Sequence, residues 1–162
     1  MGQFSYHPAW GQATSEDQQD IIDFWLTEKA LPSAQAAQNR VAQVVMFARN
    51  QDGGVSGVCT ATPQNPHQLG QPVYFYRSFI AREYRQTLLV FRMLKKATAL
   101  LETDAREHDW PCIGILLELE NERFNQRGRM PVWPGIDFVY LGKSPRGLEC
   151  RVHWFRDARL KS

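Results

Sequence analysis

The chain has 162 residues, 43% apolar and 22% charged, which excludes a disordered or collagen-like polypeptide and leaves enough apolar mass for a core. Its net charge of +2 is uneven: ten basic against thirteen acidic residues over 1–120, then nine against four over 121–162. In that second part the arginines alternate with strand-like apolar residues, so a solvated sheet face accounts for them better than a nucleic-acid surface. No apolar stretch reaches the ~20 residues of a membrane span. The start, MGQFSYHPAW, has neither the basic opening nor the apolar centre of a secretory signal. Residues 1–14 read as an N-terminal arm, and the whole of 1–162 as a single domain without repeats or linker. Ser15 with Gln18 resembles a capping box, after which Ile21, Ile22, Phe24, Trp25 and Leu26 supply a helical stripe.

QNRVAQVVMFARN (38–50) predicts a strand, QDGG a hairpin turn and VSGVCTAT (55–62) its partner strand. After a Pro/Gln/Asn-rich loop, VYFYRSFI (73–80) predicts another strand leading straight into a helix over 83–102. PCIGILLELEN (111–121) is apolar enough for a strand covered on both faces, and NERFNQRGR (121–129) predicts a short helix. DFVYLG and LECRVHWF close the chain as a hairpin around SPRG. The order implies a mixed α/β sheet of about six or seven strands flanked by helices, with VYFYRSFI and CIGILLEL as a parallel pair.

Cys59, Cys112 and Cys150 are odd in number and far apart, and the four histidines are scattered. The spacing argues against a disulfide framework and against a metal site, and for reduced thiols in a cytoplasmic protein. The informative place is the strand-to-helix junction. Residues 77–96 carry Arg77, Arg82, Arg85, Arg92, Lys95 and Lys96 against Glu83 alone. A helix start opening off a sheet presents unpaired amides and a positive dipole end, which suit a phosphate. A solvated helix face is the plainer account of the same charges.

The run Ile80-Ala81-Arg82-Glu83-Tyr84-Arg85-Gln86-Thr87-Leu88-Leu89-Val90 resembles the pyrophosphate motif of the general N-acetyltransferase (GNAT) superfamily, V-x-P-x-Y-R-G-x-G-x-G. Ile80, Tyr84 and Arg85 match. So does the order of elements, the strand ILLELEN ending at Asn121, and the closing hairpin. Leu88 and Val90 replace both glycines of the family's Q/R-x-x-G-x-G/A signature, and Arg82 replaces the motif's proline. Glycine there lets backbone approach phosphate without a Cβ in the way. The family's tyrosine acid has no counterpart in NERFNQRGRMPVW.

The resemblance implies a GNAT-like sheet and an acyl-CoA substrate, acetyl-CoA or a longer acyl thioester, with no metal. It places Phe79, Ile80, Arg85, Gln86, Thr87, Leu88, Leu89, Val90 and Asn121 at the cofactor. An amide near Phe79 or Ile80 would polarise the thioester carbonyl. The alternation in ILLELEN sets Glu118 and Glu120 on one face at a strand end, as candidate bases; pairing with Arg123 or Arg127 is the structural alternative. Tyr140, with Tyr76 and Ser78 behind it, is the candidate proton donor. The acceptor is an amine the sequence leaves unidentified, and the basic cluster also suits an acyl carrier protein as donor. The competing expectation is a GNAT-fold binding or regulatory module that has lost catalysis.

Overall fold

The computed structural model describes residues 3–85, 87–120 and 130–162. In chain order the elements are β1 (Ser5–Pro8), α1 (Ser15–Thr27), α2 (Ala34–Val41), β2 (Val44–Arg49), β3 (Val55–Gln64) and β4 (Val73–Ile80). A 3₁₀ turn (Arg82–Tyr84) leads to α3 (Leu89–Glu107), followed by β5 (Gly114–Glu118), β6 (Val132–Trp133), β7 (Phe138–Lys143) and β8 (Glu149–Trp154). The strands form one mixed sheet in the order β1-β2-β3-β4-β5-β8-β7-β6. Eight strands exceed the expected six or seven. The hydrophobic period missed β1 and β6, because four and two residues are too short to show an alternation.

The chain divides into two compact units, residues 1–61 with 78–101, and residues 62–77 with 102–162. In the first, α1 lays Ile21, Ile22, Phe24 and Trp25 against Val44, Phe47 and Val58 of the β2–β3 hairpin. Its cap is one residue earlier than expected. Thr14, not Ser15, accepts the amide of Asp17 at 3.0 Å, while Gln18 reaches back to the carbonyl of Ala13. QNRVA, read as strand, closes α2 instead: Ser33 caps it by accepting from Ala36, and the Ala/Gln run favours helix over the β-branched Val41. At the hairpin turn, the Asn50 side chain accepts the amides of Asp52 and Gly54. The missing side chain of Gly57 on β3 faces Ile80, Leu89 and Met93, so that glycine admits α3 to the sheet.

In the second unit β4 and β5 are the expected parallel pair, in register at Tyr74–Ile115, Phe75–Leu116 and Tyr76–Leu117. Antiparallel β8 and β7 follow. β5 is buried from Gly114 to Leu117, as its unbroken apolar run requires. Val73, Leu116 and Cys150 form a core with Leu69, Phe75 and Leu141 packed on it. Among the described residues no helix is long and apolar enough to cross a membrane.

Candidate functional site

In the first unit the strand-to-helix junction is built by backbone bonds that continue the sheet and then turn. The Ala81 amide bonds the Ser56 carbonyl at 2.8 Å, and the 3₁₀ turn follows at once. The helix expected from Glu83 therefore starts only at Leu89. Tyr84, a residue that matches the motif, is a pillar of the turn: its hydroxyl accepts from the Asn50 amide at 3.2 Å and its ring meets Phe4 edge-on. Arg85 turns back on the strand. Its Nε donates to the Ile80 carbonyl at 3.1 Å and its guanidinium lies 5.0 Å over the Phe79 ring. Thr87 donates its hydroxyl to the Tyr84 carbonyl at 2.7 Å and accepts the Leu89 amide at 3.2 Å, so it caps the first turn of α3.

The side chains around the turn divide by burial. Leu89 and Ile80 are core, Val90 is half-buried, and Leu88 is 53% exposed. With Leu88 turned to solvent, a strand end and a helix start flank a short loop whose first-turn amides lack intrahelical acceptors. The amides of Thr87 and Leu89 are already engaged, by the Tyr84 carbonyl at 3.1 Å and by the Thr87 hydroxyl, and the Arg85 guanidinium is held by the Ile80 carbonyl. Gln86 and Asn121 lie outside the described residues, as do the expected helix over 121–129, Arg123 and Arg127.

In the second unit β5 ends at Glu118, so the expected strand alternation does not reach Glu120; the two glutamates meet instead through a partner the sequence did not name. Arg146, on the turn between β7 and β8, sets Nη1 at 2.7 Å from Glu118 Oε1 and 3.2 Å from Glu120 Oε1. The Glu118 side chain is 11% exposed, Glu120 70% and Arg146 60%. The less exposed carboxylate is thus held by a group that can swing into water. The signal for Arg146 was the turn SPRG, but placing it needs the strand order, in which β8 returns beside β5.

Tyr140 is placed elsewhere. It stands opposite Arg151 in the β7–β8 ladder, whereas Glu118 stands opposite Cys150. Adjacent residues of β8 point to opposite faces, so Tyr140 and Glu118 lie on opposite faces of the sheet. Tyr140 is exposed, its ring 5.9 Å from the guanidinium of the buried Arg151, which also stacks 4.4 Å from Trp133. Burial lowers the Arg151 pKa below its ordinary value. Tyr76 shares the Tyr140 face and is buried; Ser78 is exposed near the end of β4. Among the described residues no group of three or more His, Cys, Asp or Glu is arranged to hold a metal ion.

At the level of sequence, no family model and no curated protein matches the chain. Solved structures match its fold over nearly its full length. A GNAT superfamily phosphinothricin acetyltransferase from Sinorhizobium meliloti, in complex with AcCoA, superposes with a TM-score of 0.67 at 10% identity, covering 98% of this chain and 94% of its own. An acetyltransferase of the GNAT family from Streptococcus pneumoniae gives 0.61 at 12% identity, covering 94% and 99%. A structure described as a bacterial toxin gives 0.63 at 14% identity, covering 96% and 93%. The fold is that of the GNAT superfamily, as the resemblance implied.

Proposed function

We propose that residues 1–162 form one acyltransferase domain, which moves an acetyl or other acyl group from a CoA or carrier-protein thioester onto an amine, in the cytoplasm. The observation that carries this reading is the junction at Phe79–Val90, a strand end turning into a helix start within a GNAT fold. The thioester's phosphates would sit against the segment 86–90 and on Arg85, with Asn121 a further contact. An amide at Phe79 or Ile80 would donate to the thioester carbonyl as negative charge builds there. The amine nitrogen attacks that carbon, the C–N bond forms, and the C–S bond breaks to release a thiolate that takes up a proton.

Glu118 is the better base of the two glutamates, since it is largely buried while Glu120 is exposed. A cationic amine displaces Arg146 from it and then surrenders its proton there, directly or through water. Tyr140 lies on the other face of the sheet from Glu118, so in this scheme the thiolate takes its proton from water.

Calorimetric titration with acetyl-CoA tests the reading. Saturable heat is expected, weakened about tenfold in Arg85→Ala. With an acceptor in hand, Glu118→Gln keeps that heat and loses about 10²–10⁴-fold in turnover. Absence of both heat and thermal shift at millimolar acetyl-CoA rejects CoA dependence. The second reading, a GNAT-fold binding module without catalysis, would then stand. It is favoured by Leu88 and Val90 in place of glycine and by the engagement of Arg85 with Ile80.

A further inference from the structure

The turn before α3 and the first half of that helix carry a charge pattern that folding does not explain. From residue 82 to 101, Arg82, Arg85, Arg92, Lys95 and Lys96 face a single acid, Glu83. All five cations are exposed, and none forms an ion pair among the described residues. Arg85 is turned to the Ile80 carbonyl, and the Lys96 ammonium sits 5.1 Å over the Tyr6 ring. The second half of the same helix is ordinary by contrast: Glu102, Asp104, Arg106 and Glu107 mix signs, and Arg106 pairs with Glu102 at 3.4 Å.

Arg92 is three and four residues before Lys95 and Lys96, so like charges meet on one helix face and repel. Arg92, in the first turn of α3, also sits where the macrodipole disfavours a cation. Beside them, one turn before Arg92, Leu88 is 53% exposed. A face required only to be wet has no use for unpaired repulsion next to an exposed leucine.

The far side of this unit has the opposite sign. Gly57 faces Leu89 and Met93 of α3, while its neighbour Val58 packs in the α1 core, so the two helices cover opposite faces of β3. α1 carries Glu16, Asp17, Asp20 and Asp23, two of them matched by Arg49. An approaching anionic surface is therefore oriented towards α3.

We propose that the Leu88–Arg92–Lys95–Lys96 face of α3 docks an acidic protein surface, one presenting carboxylates at helical spacing around an apolar residue. Leu88 supplies the apolar anchor and the cations supply sign and register. A single leucine is too small to insert into a lipid surface. Leu88 is also the one large apolar side chain exposed in the described part of this unit, so no exposed aromatic offers a base a stacking platform. The proposal does not rest on the acyl-transfer reading.

The test is fluorescence anisotropy with a labelled synthetic helix bearing glutamates at every third and fourth position and a central leucine. The whole chain should bind it at physiological ionic strength, with affinity falling as salt rises. Lys95→Glu with Lys96→Glu should weaken it at least about tenfold. That variant should keep its melting temperature, because the change relieves repulsion, and should titrate acetyl-CoA as the parent does. Unchanged peptide affinity in the variant, equal binding of the same peptide with glutamine for glutamate, or tighter binding of single-stranded RNA or of phosphatidylglycerol vesicles would each overturn the proposal. Loss of acetyl-CoA binding along with the peptide would also overturn it, by assigning these lysines to the nucleotide.

Discussion

Two glycines show how differently one missing methyl group can matter. A Cβ on Gly114 would stand 2.6 Å from the His153 carbonyl oxygen and 3.1 Å from the Trp154 ring. The first of these belongs to a backbone held by the β5–β8 ladder, where Gly114 pairs with Trp154. A Cβ on Gly57 would meet Ile80 Cδ1 at 2.8 Å, the end of a side chain that can rotate. Gly114→Ala should cost about 2–3 kcal/mol and Gly57→Ala about 1 kcal/mol or less, read from urea denaturation midpoints. Equal midpoints for the two variants would show that β8 yields as readily as Ile80 does. At this scale the sequence was legible in identity and less so in partners. Tyr84 and Arg85 matched a motif, yet what they touch, Asn50 and the Ile80 carbonyl, follows from a hairpin and a strand end distant in sequence or hidden in backbone.

Elements were legible where a period had room to show. β4 spans Val73–Ile80, the predicted run, because alternating aromatic and branched residues begin at Pro72, which cannot continue a ladder. α3 follows from the stripe Val90, Leu94, Ala97 and Leu101 that the sequence shows; Leu94, Ala97 and Leu101 are buried and Val90 is half-buried, while Leu89, Met93 and Ala105 are buried beside them. Its start was misplaced because a 3₁₀ turn uses the same residues as a first helical turn and differs only in hydrogen bonding. Short elements escaped. The cap of α1 offers a clean test of a one-residue shift. Thr14→Ala removes the acceptor of the Asp17 amide and should cost about 1 kcal/mol, whereas Ser15→Ala should leave the melting temperature nearly in place. The reverse order in a thermal melt would return the cap to Ser15.

For the molecule as a whole, buried acids set its response to alkali. Burial pushes the Cys112 thiol from 9.0 up to about 11, and the Tyr74 phenol from 10.0 up to about 12. Both groups must remain neutral in the fold while the unfolded chain ionises them at their ordinary values. Between pH 9 and 11 for the thiol, and between 10 and 12 for the phenol, the folded state binds more protons, so stability falls as pH rises. Below pH 9 this contribution is fully present. Thermal melts should therefore be flat to about pH 9 and decline beyond it, and Cys112→Ala should shrink the earlier part of the decline, the remainder belonging to Cys150, whose thiol burial also pushes up from 9.0. A parent melting temperature unchanged from pH 8 to pH 11 would deny that these groups are kept neutral.

The sequence by itself determined what depends on neighbours along the chain: the main strands and helices, the parallel pair implied by a strand–helix–strand order, and the cationic junction. Tertiary structure decided what depends on which strands become neighbours. It set β8 beside β5, and so brought Arg146 onto Glu118 and Glu120. It put Tyr140 on the opposite face from Glu118, and turned Arg85 back to the end of β4. The reason is physical. Local propensity acts over a few residues, whereas a side chain's ionic partner is set by register between strands that the sequence holds tens of residues apart.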